Sequence, residues 1–103
     1  MQKLDKFEAI AHDAQFPVCI LGNPQTSEYA LIDLEKPLPK TLLDERGMYF
    51  IGAIGIVDGA PRVALNEPLE DATISRLSQA YLRHIADALK AAPWFVPPDM
   101  QRN

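Results

Sequence analysis

The chain has 103 residues, enough for one domain and too few for a second core. Hydrophobic residues make up 48% and charged residues 23%, a globular composition that excludes a disordered chain. With 10 basic and 14 acidic side chains the formal net charge is -4, which speaks against a surface that tracks nucleic-acid phosphates.

In chain order, residues 3–14 read as a short amphipathic helix. Leu4, Phe7, Ala11 and Ala14 recur at helical spacing with Ile10 beside them, and Pro17 ends the pattern. Val18 to Leu21 is a short apolar strand closed by Gly22-Asn23-Pro24, and Glu28 to Leu34 is a second strand. Pro37 and Pro39 keep the next segment out of any central strand, because each removes a ladder donor. Thr41 to Arg46 forms a helical turn or two with Gly47 as its stop. Met48 to Val57 is the strongest strand pattern. Asp58-Gly59 is a hairpin turn, and Arg62 to Leu65 returns as the partner strand after Pro61.

The clearest element is the C-terminal helix, which opens at 68–71 with acidic residues suited to the positive end of the helix dipole. Its stripe runs Ile74, Leu77, Tyr81, Ile85, Ala88 and Ala92, with Arg76, Gln79, Arg83, Asp87 and Lys90 turned away, and Pro93 ends it. The tail 93–103 begins with the apolar Trp94-Phe95-Val96. Those aromatics are expected to fold back on the sheet or helix, because a small domain needs the area they bury. The expected architecture is therefore a single α+β domain over 1–103, with an antiparallel sheet of about four strands, a short N-terminal helix and a long C-terminal helix.

The sequence offers little chemistry. Cys19, the single cysteine, lies inside an apolar strand with no cation nearby, which describes a core thiol rather than a nucleophile. His12 and His84 share no ligand spacing with it or with each other, so no metal is expected. Gly52-Ala53-Ile54-Gly55 lacks the Lys-Ser/Thr of a phosphate loop, and glycine within a strand marks a bend or a close backbone approach. We expect no enzymatic activity and no cofactor. The opening segment lacks the apolar core of a signal peptide and the longest apolar run is too short to span a bilayer, so the expected address is the cytoplasm, with no membrane insertion.

Strict alternation along Met48–Val57 puts Tyr49, Ile51, Ala53 and Val57 on one face and Met48, Phe50, Ile54 and Ile56 on the other. Both faces are apolar. Either helices of the same chain cover them or a second subunit does.

Leu42-Leu43, the glycine-bearing strand Phe50–Ile56, the turn Asp58-Gly59, the return Arg62–Leu65, Pro68-Leu69 and a closing helix that leads to Trp94 form one pattern. From residue 38 onward, over a little more than half the chain, it resembles the class I chaperones of type III secretion systems, the Tir-chaperone family. The first half departs from that family in offering two strands where three are usual. The resemblance implies a homodimer that holds the N-terminal region of a secreted effector without ATP. It places Leu42, Leu43, Tyr49, Ile51 and Ile54 at the dimer interface, and Leu4, Phe7, Phe16, Val18, Ile20 and Leu31 in a groove for the client. Each groove position reads equally as core of one subunit, because apolar periodicity marks burial and not its partner. The other reading of the same α+β build is an adaptor, immunity protein or antitoxin that binds a folded partner. A small enzyme or ligand-binding domain stands third.

Overall fold

A computed structural model describes residue 10, residues 12–86 and residues 93–96. Five strands form one antiparallel sheet: β1 (Gln15–Asn23), β2 (Glu28–Asp33), β3 (Tyr49–Val57), β4 (Ala60–Leu65) and β5 (Trp94–Phe95), in the spatial order β4-β3-β1-β2-β5. Among the described residues the helix α1 (Asp71–Ala86) and a π-helical turn (Thr41–Glu45) complete the elements, with Ile10, His12 and Asp13 also helical. The α+β class stands, with five strands in place of about four. The expected N-terminal helix falls almost wholly outside the described residues, as does the end of the C-terminal helix beyond Ala86.

Local chemistry accounts for the connections. Asp58 and Gly59 both take positive φ, 56° and 80°, which matches the right-handed twist of β3 and β4 and closes a two-residue hairpin. Pro61 sits on β4, an edge strand, where its missing N–H breaks no internal ladder. Pro17 is less expected, since β1 is the central strand. A register shift between Gln15 and Val18 accommodates it, and Phe16 beside it takes a φ of 52°. The Tyr81 hydroxyl reaches this irregularity from α1, 2.8 Å from the Phe16 carbonyl and 3.3 Å from that of Gln15. The phenol of a buried tyrosine thereby finds an acceptor in a stretch of strand with disrupted pairing.

A second irregularity corrects the strand faces predicted from strict alternation. Ile20 pairs with Gly52 but Leu21 pairs with Phe50, so Ile51 is an extra residue in β3. Parity reverses there. Ile51 and Ile54 share one face, where they pack with Val18, Ile20, Leu31, Leu77 and Tyr81 under α1. Met48 and Phe50 lie on the other face with Cys19, Leu21, Ala30, Ile32 and Leu42, while Ala53 packs with Ile10, Ala14 and Ala64. Gly52 makes the reversal possible. A side chain there would strike the Ala64 carbonyl oxygen of the neighbouring strand and sit 3.1 Å from Leu65 Cα.

Both faces of the sheet are thus covered by the chain itself. Helix α1 lays Leu77, Ala80, Tyr81 and His84 on one of them. The π-helical turn covers the other with Leu42, assisted by Ile10 at the far end. Met48, Ile51, Ala53 and Ile54 are buried within this one chain, while Tyr49 stays exposed. The C-terminal apolar tail folds back as β5, pairing Trp94 with Leu31 and Phe95 with Ala30, and the Val96 N–H donates to the Tyr29 carbonyl at 3.0 Å.

Candidate functional site, an arginine and aromatic cleft

The residues expected to form a client groove do not come together on the surface. Val18, Ile20 and Leu31 are completely buried under α1, Phe16 is 47% exposed, and Leu4 and Phe7 lie outside the described residues. The positions expected at a dimer interface also divide. Ile51 and Ile54 are completely buried within the chain, Leu42 is buried beneath its own turn, Leu43 is half-buried, and Tyr49 is exposed. The burial of Ile51 and Ile54 follows from the bulge, which puts both side chains on the helix-covered face of this chain.

The feature that does converge is a cleft of about 390 Å³ at the end of the sheet where β1 turns into β2. Its floor is Tyr29 of β2. The ring lies against Gly22 of β1, where any side chain would run into it at 2.7 Å or less. Glycine at that position therefore lets the ring lie down on the strand. One wall is Phe95 of β5 with the adjoining Val96, and another is Arg76 from the second turn of α1. Arg46, just after the π-helical turn, closes the cleft opposite.

Asn23 organises this corner. Its Oδ1 accepts the Gln25 N–H at 3.1 Å and its carbonyl accepts the Thr26 N–H at 3.1 Å, which sets the β1–β2 turn. Its Nδ2 donates to the Arg46 carbonyl at 3.4 Å, tying that turn to the segment carrying Arg46. Gly47 then takes a φ of 64°, the left-handed conformation that turns the chain away towards β3.

Both guanidinium groups stand over aromatic rings. Arg46 lies 5.1 Å from the centre of the Phe95 ring and Arg76 lies 5.5 Å from that of Tyr29. Arg46 also meets Glu28 at 3.5 Å across half-exposed side chains, a pair worth little in water and easily opened. Arg76 donates from an Nη to the Ser27 carbonyl at 3.3 Å, and its buried Nε has no hydrogen-bond partner. It forms no ion pair among the described residues. Of its five guanidinium N–H groups, one is matched by an acceptor among the described residues.

Sequence reasoning placed Arg76 merely on the outward side of α1 and Arg46 at the end of a helical turn. The local signals for the cleft were Asn23 at a turn and Gly47 directly after Arg46. What neither reveals is that β5 folds back to bring Phe95 under Arg46.

The remaining candidates are quickly placed. Cys19 is buried, and burial pushes its thiol from 9.0 up to about 12, the opposite of nucleophilic activation. His84 is buried with its ring 5.4 Å from that of Trp94, and His12 is exposed. Among the described residues no three His, Cys, Asp or Glu side chains are grouped so as to hold a metal, and no helix is long and apolar enough to cross a membrane. Comparison with protein-family models, with curated proteins and with solved structures finds no match.

Proposed function

We propose that this chain is a non-catalytic protein-binding domain and that a segment of its partner seats in the Arg46–Arg76 cleft. The observation that carries this reading is the pair of guanidinium groups held over aromatic rings, with Arg76 in no ion pair among the described residues. Arginine and aromatic side chains are the residues that dominate protein interfaces, since they combine apolar area with fixed donors. The test is a photo-crosslinking phenylalanine analogue introduced at position 95, compared with the same analogue at position 83 on the outer side of α1. A partner joined at 95 and not at 83, with its linked peptide identified by mass spectrometry, supports the reading. Equal capture at both positions, or none at 95, overturns it.

The finer form of the proposal follows the sequence resemblance: a homodimeric type III secretion chaperone that holds the N-terminal region of an effector in the cytoplasm. Exposed Phe16 and Leu34, linked where the Leu34 N–H donates to the Pro17 carbonyl at 3.2 Å, are apolar positions suited to such a client. The burial of Val18, Ile20 and Leu31 favours instead the second reading, an adaptor or immunity-type protein that binds a folded partner. Light scattering and hydrogen exchange on the crosslinked partner separate them. A dimer holding an exchange-labile segment supports the chaperone, and a monomer on a protected segment supports the adaptor.

A further inference from the structure

Beside the arginine cleft lies a second depression of about 240 Å³, lined by Pro24, Leu69, Glu70 and Thr73. The two share Ser27 and Tyr29, so they adjoin across the tyrosine. Their charges are opposite. Arg46 and Arg76 stand in the first, and Glu70 stands in the second with Glu67 close by. The Tyr29 phenol feels both sides: burial raises its pKa most, Arg76 lowers it, and Glu67 and Glu70 raise it. Glu67 is already engaged, accepting from the Tyr49 hydroxyl at 3.1 Å, whereas Glu70 forms no ion pair among the described residues. Among the described residues Arg76 on one side and Glu70 on the other are thus neither ion-paired nor, unlike Glu67, held by a neighbouring hydroxyl.

From this juxtaposition the geometry points to a polar through-groove that takes an extended peptide segment carrying a carboxylate and a basic side chain on either side of a small apolar residue. The carboxylate meets Arg76, the apolar residue crosses at the exposed Ser27 beside the buried Tyr29, and the basic side chain meets Glu70. Two adjoining depressions of opposite charge suit the interior of a chain rather than its end. The arginine side carries two cations and the one internal carboxylate of Glu28, leaving a single positive charge, which matches one carboxylate better than a phosphate dianion. This inference rests on the protein-binding reading and specifies the partner's chemistry.

The experiment titrates the full, isotopically labelled chain with three end-capped pentapeptides and follows its backbone amide resonances. The peptides are Gly-Glu-Ala-Lys-Gly and the two versions in which glutamine replaces either the glutamate or the lysine. The first should shift the amides of Ser27, Tyr29 and Phe95 saturably, and each neutralised version should bind about fivefold more weakly, the scale of one half-exposed ion pair. In Arg76→Gln the glutamate and glutamine peptides should bind alike while the lysine still matters. In Glu70→Gln the pattern should reverse. Unchanged resonances elsewhere establish that both variants are folded.

Equal binding of all three peptides, or indifference to the lysine alone, overturns the paired-charge groove and leaves the crosslinking result at Phe95 untouched. Absence of shifts from every peptide, when a partner does crosslink at Phe95, has the same consequence. Inorganic phosphate shifting the same amides more strongly than the peptides would reassign the cleft to a free anion and overturn the inference.

Discussion

The two faces of the sheet are closed by different coverings and with a different share of small residues. Under α1 the side chains are large: Ile20, Leu31, Ile51, Ile54, Leu77 and Tyr81 fill the space between a helix and a sheet. On the other face Leu21, Ile32 and Met48 are joined by small residues, Cys19, Ala30, Ala53 and Gly55, beneath two short stretches of chain. Large residues hold a rod at the distance that ridges and pleats require, whereas small ones let a short covering segment come down almost onto the backbone. The pairing explains how one small chain closes both faces of β3. It also predicts that the two faces fail differently, one by losing volume and the other by gaining it.

The largest effect should come from the helix-covered face. Ile54→Asp places an unpaired charge where no water reaches, and the chain should not fold at neutral pH. Ile54→Ala isolates the packing component and should cost about 2–5 kcal/mol in a urea melt. A cost below about 1 kcal/mol would mean that this face is loosely filled and that the contrast between the faces is wrong.

Removing everything after Pro93 tests how much of the same face depends on β5. Val96 and Trp94 pack on the cluster beneath α1, so the truncated chain should lose roughly 2–5 kcal/mol. Trp94 in the intact chain should emit at the shorter wavelength of a shielded indole. An unchanged melt together with solvent-exposed emission would detach the tail from the fold and remove one wall of the cleft.

Gly55→Ala probes the opposite face. The new methyl would collide with the Ala14 side chain and lie 3.1 Å from Ile10 Cγ2, so the covering segment must lift. A cost of about 1–3 kcal/mol is expected, the range for overpacking. Combining it with Ala14→Gly should recover a good part of that loss, since the two changes share one space. If the double variant is simply additive, the close approach is not what fixes glycine at 55.

Much of this architecture is legible in the residues. The Asp58-Gly59 hairpin and helix α1 follow from turn chemistry and from the stripe through Ile74, Leu77 and Tyr81, signals contained within one element. What escaped depends on contacts between elements. Ile51 changes face because the register slips against β1, and no periodicity within β3 records that. Pro17 enters a central strand because Tyr81, over sixty residues away, supplies a donor to the disrupted carbonyls. Two residues of β5 are too few to carry an alternation at all. The cleft belongs to this second class. Arg46, Arg76, Tyr29 and Phe95 come from four separate elements, and each alone reads as an ordinary surface arginine or apolar position.

The smallest effect at neutral pH, and the sharpest in its pH dependence, concerns Cys19 on the face away from α1. Cys19→Ala should cost about 1 kcal/mol at pH 7, since the thiol acts as a small hydrophobe. Burial raises the folded thiol from 9.0 to about 12 and the Tyr81 phenol from 10.0 to about 12. The folded chain therefore keeps both protons where the unfolded chain releases them. Stability fully present below pH 9 is lost as pH rises towards 12, with a slope of up to about 1.4 kcal/mol per pH unit for each group. Cysteine begins to contribute near pH 9, and Tyr81 only near 10, joined by Tyr29, whose phenol is also raised by burial. Urea melts between pH 7 and 11 should thus be flat at first and then fall. In Cys19→Ala the decline should begin about one pH unit later. A thiol-specific reagent should leave the native protein unmodified at pH 8 and react at once in denaturant. Rapid modification of the folded chain would show that the opposite face opens readily, and an alkaline decline identical in both proteins would remove Cys19 from that face's buried set.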